Sequence, residues 1–226
     1  MKTRIFILGL TAFLVSPIAL ANDSGVYGGI AVGRSSIDFN SKDFNSPSPS
    51  DVREGTTAGK DTGYKLFVGY RFDRIWAIEG GYTRHGNFQF RSTNHNLHVT
   101  VFDYSTSSWS LAGKGVLLVS ERVNLFAKLG LSVNSAKNEY WWDSAGFVPP
   151  LLPGTVISNP TLASLISPGS YSKTTLSPLL GVGVEYAAWK GVKLRLEYEN
   201  YGKFGGETSM GRATLSTTSF GVSYGF

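Results

Sequence analysis

Cysteine is absent from all 226 residues, so no disulfide can hold this fold together. Charge is scarce as well: Asp, Glu, Lys and Arg make up 16% of the chain, against about 25% in soluble domains. After residue 21 no apolar run approaches the ~20 residues that a membrane-spanning helix needs. Helical periodicity is missing too from every one of the alternating segments below. Those absences exclude a disulfide scaffold, a helical bundle and a helical membrane protein.

The N-terminus, "MKTRIFILGLTAFLVSPIALA", has Lys2 and Arg4 before an apolar stretch and then Ala19-Leu20-Ala21. This is the layout of a secretory signal peptide, too short and too interrupted by Pro17 to span a bilayer. Residues 1–21 are therefore expected to be removed, leaving 22–226 as a single domain. Without Lys2 and Arg4, 19 of the 21 basic residues remain against 16 acidic ones. That small, scattered excess gives no footing for nucleic acid.

Glycine (27 residues) and aromatics (13%) are abundant, and they sit in segments that alternate with a period of two. Eight such segments are expected, over 25–39, 63–72, 76–90, 106–119, 124–140, 174–188, 192–204 and 213–226. Several are separated by only "DRI", "SERV" or "WKG", whereas 40–62, 91–105 and 141–173 are long connections. With antiparallel neighbours, the short turns collect at one end and the long loops at the other, as in transmembrane barrels.

The two faces differ sharply. Val192, Leu194, Leu196 and Tyr198 alternate with Lys193, Arg195, Glu197 and Glu199. The last residues, "SFGVSYGF", set Phe220, Val222, Tyr224 and Phe226 against serine and glycine. Phe72, Trp76, Tyr186, Trp189, Tyr224 and Phe226 are expected in an aromatic belt at the turn end, with Tyr64, Tyr82, Trp109, Tyr198 and Tyr201 toward the loops. The expected fold class is all-β, an eight-stranded antiparallel up-and-down transmembrane barrel whose last strand closes on its first, leaving no edge in hydrocarbon.

"DTGYKLFVGYRF", "WAIEGGYTRHGNF" and the start "SGVYGGIAVGRSSIDF" resemble strands of the OmpA-like transmembrane domain family. The resemblance implies a stand-alone outer-membrane barrel, with no room for that family's periplasmic peptidoglycan-binding domain. The ending, Tyr224 and Phe226, looks like the signal read by the barrel-assembly machinery, and an ordinary girdle role is compatible with it. Implied partners are outer-membrane lipid and lipopolysaccharide, plus the assembly machinery and periplasmic chaperones during biogenesis.

Parity places Lys65, Arg71, Glu79, Lys114, Lys128, Glu185, Lys193, Arg195, Glu197 and Glu199 in the lumen. Eight strands enclose space that side chains fill, so these groups must form a network. Hairpin counting sets Glu185 opposite Lys193, Arg71 near Glu79, and Lys114 opposite Lys128 with Glu79 between them. The alternatives are an ion-paired core and a narrow gated ion path.

No cofactor is expected. A metal site at His95 and His98 lacks a third ligand. Lipid A modification would need a serine-histidine pair with an acid; His95 and His98 read instead as solvated residues of the loop between the third and fourth segments, and His85 as a solvated polar residue near the outer rim. No enzyme activity is therefore expected. The connection "FVPPLLPGTVISNPTLASLISPG", 147–169, is apolar, proline-rich and uncharged. With Trp141 and Trp142 before it, and Phe147, Leu151 and Leu152 within it, it is a candidate contact loop for a host or surface protein; the alternative is a cap folded over the barrel mouth. The expected role is structural and surface-exposed.

Overall fold

The computed structural model describes residues 24–39, 54–93, 99–143, 166–206 and 211–226, and these contain strands and no helix. In chain order the strands are β1 (Gly25–Phe39), β2 (Glu54–Ala58), β3 (Lys60–Arg71), β4 (Trp76–Thr93) and β5 (Val99–Leu118). They continue with β6 (Val123–Asp143), β7 (Ile166–Trp189), β8 (Val192–Gly206) and β9 (Gly211–Gly225). β2 and β3 both pair with β4 and follow one another across Gly59, so the nine segments make eight staves. All ladders are antiparallel. β9 pairs with β1 from Tyr27↔Gly225 to Phe39↔Ala213, closing the barrel in up-and-down order.

The turn ends of the strands fall within a residue of where alternation places them, the last strand ending at Gly225. The loop ends run further. Stretches expected as connections are strand in 54–58, 60–62, 91–93, 99–105, 141–143 and 166–173. β7 reaches 24 residues, far beyond the ~9–11 that cross a bilayer. A clean split into an apolar and a polar face marks the part of a stave that meets lipid, and the extensions, which mix both on either face, carry no such mark.

Local chemistry fixes the short turns. Asp73 Oδ1 accepts from the backbone N–H groups of Trp76 and Ile75, both at 2.7 Å, and those two bonds lower its pKa. Ser120 Oγ accepts from Val123 N at 3.1 Å. Gly191, at φ +78, supplies the left-handed residue of the β7–β8 turn.

The wall is apolar outside and polar inside, the reverse of a soluble protein. Ile30, Val32, Leu66, Val68, Leu111, Leu129, Leu131, Val182, Leu196, Phe220 and Val222 are exposed on the outer surface, as are Tyr224 and Phe226. Phe72, Trp76, Tyr186 and Trp189 gather at the turn end, and Tyr64, Trp109 and Tyr198 are exposed toward the loops. Tyr201 does not join them: it shares parity with Glu197 and Glu199 and is wholly buried in the lumen. There its hydroxyl donates to Glu199 at 2.7 Å and lies 2.8 Å from Thr83 Oγ1.

Candidate functional site: the filled lumen

Four carboxylates and four cations lie buried between the staves. They are Glu79 on β4, Glu185 on β7, and Glu197 and Glu199 on β8, with Lys65 on β3, Lys114 on β5, Lys128 on β6 and Arg195 on β8. Opposite charges are equal in number, so the desolvation each ion suffers is offset by a neighbour.

Glu79 is the hub. Lys128 Nζ donates to its Oε1 at 2.5 Å, Arg195 Nη1 reaches both oxygens at 3.1 and 2.9 Å, and Tyr27 donates its hydroxyl at 3.0 Å. Arg195 turns its other nitrogens to Glu185 Oε1, Nε at 3.0 Å and Nη2 at 2.7 Å. Lys65 bonds Glu199 at 2.6 Å and Glu197 at 3.2 Å, and Lys128 also pairs with Glu197. Lys114, with no exposed surface, donates to Glu185 at 2.5 Å and lies 4.4 Å from the Phe126 ring centroid. The Arg195 guanidinium lies 4.2 Å from the Phe67 centroid, so aromatic faces cover what the carboxylates do not.

Two hairpin pairings differ from simple counting. The β7–β8 turn sits at Lys190–Gly191, not on Trp189, and the register slips by one between Ala187 and Trp189, so Glu185 faces Arg195 and Lys193 faces Ala187. Arg71 stands opposite Ala77 and 3.9 Å from Glu185, not beside Glu79. Lys114 and Lys128 are directly opposite, and different acids receive them: Glu79 meets Lys128, while Glu185 takes Lys114. Arg71 and Lys193 stand partly exposed at the turn-end mouth, beside a cavity of about 240 Å³ that Glu185 also lines.

Toward the loops a hydroxyl-rich layer follows. His85 is fully buried, not a solvated rim residue: its Nδ1 lies 3.0 Å from Thr217 Oγ1 and 3.4 Å from Ser35 Oγ, and its Nε2 lies 2.9 Å from Ser108 Oγ. Ser108 in turn donates to Asn134 at 2.7 Å. Parity with Glu79 and Thr83 was the signal for this burial; what was missing was any expectation that a second polar layer fills the lumen. This histidine and its serines face inward, away from the lipid surface where a lipid-modifying site must stand. Beyond them Ile37, Phe88, Tyr104, Ala136, Ala213 and Leu215 form a buried apolar cluster. Phe88 faces inward because the register slips between Arg84 and Gly86.

Among the described residues no three acidic or histidine side chains are placed to hold a metal ion. Trp141 and Trp142 lie in β6, opposite Val101 and Thr100; Phe147, Leu151, Leu152, His95 and His98 fall outside the described residues.

A closed, edgeless barrel with an apolar exterior, aromatic residues toward both ends and an ion-paired interior defines an outer-membrane β-barrel protein. The chain belongs to the outer membrane protein beta-barrel domain family, whose model matches residues 5–226. Among solved structures it is similar to OprG of Pseudomonas aeruginosa, with 12% identity, 91% of this chain and 96% of that one covered, and a TM-score of 0.54. It is likewise similar to Neisserial surface protein A, with 16% identity, 90% and 99% covered, and a TM-score of 0.51. AlkL, studied in lipid bilayers, gives 13% identity, 92% and 93% covered, and a TM-score of 0.51. At such identities the likeness concerns the fold alone. No curated protein matches the chain at a significant level.

Proposed function

We propose that the protein is a passive structural barrel of the outer membrane, exported by removal of residues 1–21, with both mature termini periplasmic and its long connections outside. Its work is to reinforce the membrane and to present residues 141–173 to a host or surface protein. The carrying observation is the filled interior: four buried carboxylates matched by four buried cations, followed by the His85 layer and the apolar cluster around Phe88 and Tyr104. Ions crossing such a lumen must break several buried pairs, each costing about 3–5 kcal/mol to disrupt.

In planar bilayers the purified mature chain is expected to give no stepwise conductance; steady unitary currents would replace this reading with that of a narrow pore. The contact role is supported by the length of β6 and β7, 21 and 24 residues, more than the ~9–11 that cross a bilayer, and by the apolar sequence of 147–169. Deleting 147–169 is expected to reduce cell-surface binding while the barrel keeps its heat-modifiable migration in detergent gels. Binding that survives the deletion would remove the contact role. On the periplasmic side, Tyr224 and Phe226 fit recognition by the assembly machinery: both are exposed on the outer face, with ring centroids 5.1 Å apart.

A further inference from the structure

The apolar belt does not give way to the same chemistry all the way round. On β5 to β9 the outward residue after the last apolar one is neutral: Ser107 beyond Trp109, Ser135 beyond Val133, Thr174 beyond Leu176, Asn200 beyond Tyr198 and Thr218 beyond Phe220. On the other arc it is cationic. Arg34 follows Val32 on β1, Arg84 follows Tyr82 on β4, and on β3 Tyr64 is followed by Thr62 and then Lys60. All three cations are exposed.

The register brings them together. Arg34 stands opposite Thr62, Arg84 opposite Tyr64, and Lys60 is the next outward position on β3 beyond Thr62. Lys60 is thus the diagonal neighbour of Arg34, a placement about 7–8 Å apart, while Arg84 stands on the far side of β3, two residues nearer the turn end than Arg34. Ser36, not a carboxylate, faces Lys60, and Asp38 is the next outward position on β1 beyond Ser36. Further out on β6, Lys137 is already neutralised by Glu139 at 2.6 Å. None of Arg34, Lys60 and Arg84 makes an ion pair with another described residue.

We propose that Arg34, Lys60 and Arg84 form a docking surface for the phosphate groups of a phosphorylated outer-leaflet lipid, whose acyl chains lie along Val32, Leu66 and Tyr82 immediately below. The assignment rests on the reading that the loop end faces outward. Phosphates of such a lipid sit directly above the hydrocarbon, the level at which these three side chains leave the apolar belt. Long cationic side chains can keep their stems along apolar surface while the charged heads meet the phosphates. Guanidinium groups offer those oxygens paired donors, and three cations on adjacent staves match a lipid carrying more than one phosphate.

The test uses the refolded mature barrel in phosphatidylcholine nanodiscs doped with bisphosphorylated lipid A, with lipid retention read by native mass spectrometry. The combined variant Arg34→Gln, Lys60→Gln, Arg84→Gln is expected to weaken retention about ten-fold or more. Lys137→Gln should leave retention unchanged, and the double variant Arg34→Lys, Arg84→Lys should restore most of it. Fully dephosphorylated lipid A should bind the unaltered protein no better than it binds the triple variant, and millimolar inorganic phosphate should not displace the lipid. Equal retention by the unaltered protein and the folded triple variant overturns the proposal, as does indifference to dephosphorylation. Displacement by inorganic phosphate would make this a site for free anions instead. Nanodiscs carry no inside or outside, so an inverted orientation, revealed by labelling residues 40–53 on intact cells, is a separate failure.

Discussion

Glu79 accepts from Lys128, Arg195 and Tyr27, with Lys65 3.8 Å away, and it is 4% exposed. Removing its charge leaves the lumen with one cation too many in a place where water cannot compensate. Glu79→Gln is expected to destabilise the barrel by about 3–5 kcal/mol, the usual consequence of breaking a buried pair from one side. Adding Lys128→Met restores neutrality, so the double variant should lose clearly less than the two single losses combined. Urea unfolding in lipid vesicles measures both, and strictly additive losses would show that the network does not act as a unit. Lys65 keeps its bonds to Glu197 and Glu199 in either variant, while Lys128→Met also takes away the second cation that these two carboxylates share.

At the scale of a strand, the outer face demands hydrocarbon. Val182 stands mid-way along the outward row of β7, between Leu180 and Val184, opposite Ala127 and Tyr198, and is 56% exposed. An arginine there meets acyl chains and is expected to cost about 2–4 kcal/mol in the same unfolding measurement, whereas Thr218→Arg at the polar boundary should cost less than about 1 kcal/mol. Equal costs would place the bilayer elsewhere on the wall. Alternation made this face legible in the sequence because a period of two is independent of what lies beyond the strand. Register was less legible. The β7–β8 turn lies at Lys190–Gly191 and not on Trp189, which with the slip between Ala187 and Trp189 sets Glu185 against Arg195 in place of Lys193, and the slip at Arg84–Gly86 turns Phe88 inward. Bulges change which residues face each other without changing composition, so hairpin counting could not anticipate them. Tyr201 shows the converse: its parity was plain, yet an aromatic near a strand end resembles a girdle residue until Thr83 and Glu199 are seen to hold its hydroxyl. The extensions of β5, β6 and β7 beyond the lipid were invisible because their residues, Val101 and Phe102 or Trp142 and Asp143 among them, do not separate into an apolar and a polar face.

For the whole molecule, everything depends on the seam where β9 meets β1, since an open sheet cannot rest in hydrocarbon with unpaired backbone groups. Thirteen register pairs form that seam. Among its glycines the tightest is Gly33, where an added Cβ would collide with Thr218 O and lie 2.5 Å from Ser219 Cα. Those neighbours are backbone, which cannot move aside without breaking the ladder from Val32↔Phe220 to Arg34↔Thr218. Gly33→Val is therefore expected to hinder closure itself, lowering the fraction of chain that folds into vesicles and shows heat-modifiable migration. Gly80→Ala on β4 is the matched control, because its Cβ would meet nothing nearer than Ser110 O at 3.8 Å. If the control folds normally and Gly33→Val folds just as well, the seam is not as tightly apposed as this register requires. If both fail alike, glycine is needed throughout the wall for flexibility. Selective loss in Gly33→Val alone ties the folding of all eight staves to one contact between the first strand and the last.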